Sequence, residues 1–349
     1  MLKNPLIALL ILMSSTLWAS IDPFHLSQRL GFDKEISYDF IVADKSKHIP
    51  AEKTSIQINF DSQNISPFLL NLNTINTERT KIALGKCSAN SAAKIYRLFL
   101  PIKIGKRFQL KNHKLQGYEI SLKVKCQHNN IFVFKNNSFA GKALKLLLKT
   151  KKVDDYIMGS LKLKILQYRK LFKSPIGIVY PGGGNFYDFK NVYIDRVDHW
   201  DVVGHEIAHA IYDRLELGVT DVGEHYIDRC YSQSLALSEG WPSYFAALVW
   251  LKTNNPKPLL PYMVKRRGPM NIETVPQDVC AGYTNEWRVV SYLWDITDQT
   301  PHEDGIHMDS EMFFKSLINQ NHQGLQSIHN SLKQSLNVKE LESVWQSNL

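Results

Sequence analysis

Two histidines four residues apart with a glutamate between them, His205-Glu206-Ile207-Ala208-His209, set out the chemistry of this chain. On a helix, residues at i and i+4 share a face. Both imidazoles can therefore meet one divalent cation while Glu206 lies beside the water that the cation activates. The five-residue string alone is weak evidence, since a polar pair on a helix flank would read the same way. Its surroundings add to it: Asp201-Val202-Val203 before and Ala210-Ile211-Tyr212 after place apolar residues at helical spacing, so the remaining faces are built for burial. A catalytic zinc keeps three protein ligands and an open position, so a third donor must come from elsewhere. Glu239 is the candidate. It stands in Leu237-Ser238-Glu239-Gly240-Trp241, a lone acid in an apolar helix-like run over 234–248, where an unpaired carboxylate would be too costly to bury. The bland alternative is an exposed acid in a first helical turn.

At these residues the chain resembles the gluzincin metallopeptidases, and most of all their fungalysin and thermolysin-like branch. The resemblance extends to Asp213-Arg214-Leu215, to Phe245-Ala246, and to Asn285-Glu286-Trp287 leading into Leu293-Trp294-Asp295. It covers residues 176–314, roughly two fifths of the chain. It implies an α+β zincin-like domain, one zinc ion held by His205, His209 and Glu239, and endopeptidase-type hydrolysis with Glu206 as general base. Those relatives often place an aspartate four residues after the ligand glutamate. This chain has Ser243, which accepts a hydrogen bond from an imidazole but adds no charge. The tetrahedral oxyanion also needs a donor. Asp304-Gly305-Ile306-His307-Met308-Asp309-Ser310 is similar to the stretch that carries the proton-donating histidine in thermolysin-like enzymes, which points to His307; Tyr283, Tyr226 and His225 are alternatives.

The elements that must position these groups are legible as patterns. Ile176-Gly177-Ile178-Val179-Tyr180 and Asn191-Val192-Tyr193-Ile194-Asp195 read as strands, the second at the cleft edge where an extended substrate can pair with it. Pro181-Gly182-Gly183-Gly184 between them lacks the lysine-serine ending of a phosphate loop and reads as a turn. Trp287 to Asp295 reads as a buried helix, with Glu286 and Asp295 as acids near the metal or as caps and ion-pair partners. Residues 312–345 suggest closing helices. Upstream, 35–42, 55–60, 118–124 and 131–134 alternate polar and apolar residues, which suits a small β-sandwich. From Ala143 to Phe172 the pattern turns helical, with Leu146, Leu147, Ile157, Leu161, Ile165, Leu166 and Tyr168 on one side and lysines on the other. The expected plan is a leader over 1–20, a mostly-β domain over 21–142 and a zinc metallopeptidase domain over 143–349.

Lys3, an apolar stretch over 5–13 and small residues up to Ala19-Ser20 read as a signal peptide, with an uncleaved anchor as the alternative. Export to a periplasmic or extracellular space suits four cysteines paired as disulfides, 87–126 and 230–280 being favoured among three connectivities. The formal charge of +9, from 42 Lys+Arg against 33 Asp+Glu, is spread along the chain and suits association with anionic envelope surfaces. No nucleic-acid motif accompanies it. The expected activity is that of a secreted, zinc-dependent peptidase acting on protein or peptide substrates. Two rivals use the same residues: an inactive zincin scaffold kept as an envelope binding or adhesion module, and a zinc hydrolase for non-protein amides.

Overall fold

The structure is a computed structural model that describes residues 32–35, 55–60, 63–64, 94–99, 103–104, 107–115, 119–124, 129–134, 139–162, 173–264, 267–299 and 306–349. The leader over 1–20, the strand expected over 36–42, Cys87, Cys126 and the part of the expected helix over 163–172 lie outside them. Two compact units divide the chain: Met1–Pro101 with Gly117–Lys145, and Ile102–Gln116 with Leu146–Leu349.

In the first unit, β1 (Phe32–Glu35), β2 (Ser55–Phe60), β3 (Gln63–Asn64) and β8 (Asn129–Phe134) form a four-stranded sheet in the order β1-β8-β2-β3. β8 runs antiparallel to β1 and parallel to β2. A separate antiparallel pair joins β4 (Lys94–Phe99) to β7 (Glu119–Val124). The alternation in Ser-Ile-Gln-Ile-Asn-Phe and in Glu-Ile-Ser-Leu-Lys-Val is the two-residue period of a strand with unlike faces. β4 was not expected from the sequence.

The second unit holds a five-stranded sheet of β5 (Lys103–Ile104), β6 (Phe108–Lys111), β9 (Ile176–Val179), β10 (Phe186–Tyr187) and β11 (Asn191–Tyr193), in the order β10-β11-β9-β6-β5. The three inner strands are parallel and the two outer ones antiparallel to their neighbours. β9 is buried along its whole length, as a continuous apolar run in a covered parallel strand should be. The hairpin β5–β6 comes from the chain before residue 117, so this sheet is not built from residues after 142 alone.

Helix α1 (Phe139–Gly159) buries Leu146, Leu147, Val153 and Ile157, the apolar side seen in the sequence. Beneath it the Arg107 guanidinium forks onto the Asp154 carboxylate, with Nη2 to Oδ2 at 2.6 Å, and both side chains are buried. Lys149 donates to the carbonyls of Val197 and Asp198 at 2.5 and 2.9 Å, on the approach to the next helix.

Helices α2 (Trp200–Arg214), α3 (Gln233–Trp250) and α4 (Glu286–Thr297) make the centre of the unit. Ser232 caps α3 by accepting from Leu235 N, and Asn285 caps α4 by accepting from Arg288 N. Buried Asp201 in the first turn of α2 accepts from the backbone N–H groups of Tyr262 and Met263 at 2.6 and 3.1 Å, fixing that loop to the helix. The pair β12 (Leu259–Leu260) and β13 (Met270–Asn271) lies between α3 and α4 in sequence. Closing helices α5 (Ser310–Leu317), α6 (Leu325–Leu332) and α7 (Val338–Asn348) cover the core, with Phe314 5.5 Å from Trp241 and Phe313 5.7 Å from Tyr244. Among the described residues, no helix is long and apolar enough to cross a membrane.

Two glycines set how closely these helices cross. A Cβ at Gly204 of α2 would stand 2.8 Å from the Ala246 Cβ and 3.2 Å from its Cα on α3; one at Gly240 of α3 would stand 2.6 Å from a Val289 methyl on α4. Each glycine adjoins a candidate ligand, Gly204 before His205 and Gly240 after Glu239. A methyl group at residue 204 would gain about 1 kcal/mol of helix propensity, whereas overpacking costs about 1–3 kcal/mol. The backbone of Ala246 cannot rotate away, so Gly204→Ala is expected to lower the midpoint of denaturant unfolding and to weaken metal retention in equilibrium dialysis.

Candidate metal centre

Helix α2 supplies His205 and His209 from one face, and α3 supplies Glu239 from the face pressed against it. The Nε2 atoms of the two histidines are 2.9 Å apart, and Glu239 Oε2 lies 3.2 Å from one and 3.4 Å from the other. Around a small cation with tetrahedral bonds of about 2.0–2.1 Å, donor atoms stand about 3.3–3.4 Å apart. The three donors are therefore already at ligand spacing, and the group could hold a metal ion. Two imidazole nitrogens facing each other at 2.9 Å would repel through their lone pairs unless something positive lay between them. The donor set and its geometry fit a cation.

Ser243 fixes one of the rings. An imidazole that ligates through Nε2 carries its proton on Nδ1, and Ser243 Oγ stands 2.9 Å from His205 Nδ1 to accept it. The position sits one helical turn after Glu239, so one face of α3 supplies both a ligand and the support for another ligand. Ser243→Ala is expected to lower metal affinity by about 10- to 100-fold, read from competition with a chelating indicator.

All the charged groups here are nearly buried. Burial pushes the Glu206 carboxyl up to about 7 and the Glu286 carboxyl up to about 7, and pushes His205 down to about 4. For Glu239 burial also acts upward, but hydrogen bonds and charges from His205 and His209 outweigh it and hold this carboxyl well below the usual range. For His209 burial acts downward, yet Glu239, Glu206 and Glu286 together raise it. The surrounding carboxylates thus favour a proton on His209. Protonated His209 cannot ligate, so metal binding must compete with that proton as the pH falls. Metal affinity is expected to fall by about tenfold per pH unit on acidification from the neutral range, measured by calorimetry in buffers of differing ionisation enthalpy. An affinity flat from pH 7 to about pH 5 would refute this.

The triad opens onto a cleft of about 440 Å³ whose lining includes Glu206, Arg196, His225, Phe186 and Phe189. Its wall is β10. The sequence reading placed 191–195 at the sheet edge; instead β11 lies between β9 and β10, and Phe186–Tyr187 is the edge strand. Tyr187 Oη donates to Asp213 Oδ2 at 2.8 Å, tying that edge to the last turn of α2. The glycine run folds as a turn in which Asp195 Oδ1 accepts from the N–H groups of Gly182 and Gly183 at 2.8 and 3.2 Å.

His307 is exposed, lies 2.6 Å through Nδ1 from the Asp298 carbonyl, and is not among the residues lining the cleft. Tyr226 and Tyr283 do not line it either: Tyr226 lies under the Arg229 guanidinium and Tyr283 stacks on Trp345. His225 does, with Nε2 3.5 Å from both Glu239 Oε2 and Glu286 Oε2. Asp295 accepts from Asn348 Nδ2 at 2.7 Å. The expected disulfide Cys230–Cys280 is present and closes a loop that contains Glu239. Compared with known proteins, the chain matches no protein-family model and no curated protein.

Proposed function

We propose that this protein is an exported zinc peptidase of the gluzincin type that hydrolyses peptide bonds in protein or peptide substrates, with Glu206 as general base. The observation that carries the reading is the convergence of His205, His209 and Glu239 at ligand spacing, with buried Glu206 beside them on an open cleft. Two nitrogens and one carboxylate oxygen are the donor set that zinc accepts in hydrolytic sites. When bound, zinc polarises a carbonyl and lowers the pKa of water.

The chain's own groups account for the other steps. Burial makes Glu206 a stronger base than a solvated carboxylate, and its environment acts through charges, not through a fixed hydrogen bond that would have to be broken first. It takes the proton of the attacking water and returns it to the leaving amine. The free edge of β10 offers backbone donors and acceptors to an extended peptide. Arg196 and His225, which line the cleft, are the groups available to face the oxyanion. The Cys230–Cys280 disulfide suits an oxidising compartment.

Glu206→Gln removes the base while leaving all three ligands. Cleavage of unfolded casein is expected to fall by about 10²–10⁴-fold with zinc content per chain unchanged, and a chelator should abolish the wild-type rate. A glutamine variant that cleaves as fast as the wild type would exclude the mechanism.

A further inference from the structure

His225, Glu239 and Glu286 form a second group of three donors, with one ligand atom from each lying within 4.8 Å of the others. His225 Nε2 is 3.5 Å from Glu239 Oε2 and 3.5 Å from Glu286 Oε2. These separations are close to the roughly 3.3–3.4 Å between ligands of one tetrahedral ion. His225 does not simply complete the first triad, because its donor atom is not within 4.8 Å of both His205 and His209. Glu239 belongs to both groups, and a carboxylate can bridge two cations.

The surroundings of Glu286 point the same way. It is only 9% exposed, and its one ion-pair partner among the described residues is His225. As the first residue of α4 it gains from the helix dipole, an effect smaller than the cost of burying a carboxylate.

The two parts of the group are also held together without any metal. The disulfide Cys230–Cys280, the bond from Tyr231 N to the Thr284 carbonyl at 2.9 Å, and the bonds from Asn285 Nδ2 to the carbonyls of Ile227 and Arg229 at 2.9 and 2.8 Å join the loop bearing His225 to the start of α4. Such bracing is what a preorganised ligand set requires.

We propose that His225, Glu239 and Glu286 hold a second divalent transition-metal cation, bridged through Glu239 to the ion of the His205–His209 triad. The inference rests on the reading of that triad as a metal site. In a two-ion centre the second cation takes over the electrostatic role open to the His225 imidazole in a one-ion centre, and the ions lie about 3.5–4 Å apart.

The test is zinc stoichiometry on the full chain, stripped with chelator, reloaded with zinc alone and freed of loose metal by gel filtration. Wild type is expected to retain two ions per chain, and Glu286→Gln and His225→Asn one each. X-ray absorption should show a metal–metal vector in wild type that both variants lack. Circular dichroism and an intact Cys230–Cys280 bond, read by mass, establish folding. Should Glu286→Gln fail to fold, His225→Asn on the part-exposed loop supplies the count. A single ion in wild type that His209→Gln removes would overturn the second site and leave the peptidase reading standing, whereas no retained ion would overturn both. Two ions persisting in both variants would also refute the assignment.

Discussion

Buried negative charge is the constraint around which the second unit is arranged. Glu206, Glu239 and Glu286 are each about nine-tenths buried, and the groups nearest to Glu239 are imidazoles. A carboxylate removed from water without a partner is costly, so the fold must supply positive charge where these side chains meet. Protons can serve, and a dication serves better. The close crossing of α2 and α3 at Gly204, that of α3 and α4 at Gly240, the Ser243 support and the braced loop bearing His225 all keep that meeting point fixed.

The triad was legible in the sequence because its parts are periodic. His205 and His209 are one turn apart, and Glu239 was conspicuous as the sole acid in an apolar helix. Ser243 drew attention only through the resemblance, since it stands where gluzincin relatives often carry an aspartate. His225 was harder: it sits in a loop without periodicity, and only the folded chain brings it to Glu239 and Glu286. His307 drew attention through a short string of neighbours, yet strings do not encode where a loop runs. Glu286 was noticed, but an acid at a helix start looks the same whether it caps, pairs or ligates.

The strands show a similar divide. Apolar runs at 176–180 and 191–195 identified themselves, but run composition carries nothing about order within a sheet. The two-residue strand Phe186–Tyr187, too short to show alternation, took the edge that had been assigned to its neighbour. β5 and β6 were missed because they precede a change of texture near residue 142, and that change was used to divide the chain.

That hairpin makes the division of the chain discontinuous. The backbone passes between the two units at 101/102, at 116/117 and again at 145/146. A single proteolytic nick near residue 142 would therefore leave the cleft sheet dependent on a fragment that is no longer covalently attached. Releasing it would strip β5 and β6 from the sheet and take Arg107 away from the buried Asp154 carboxylate of α1. Residues 102–116 thus belong to the second unit although the chain on both sides of them belongs to the first.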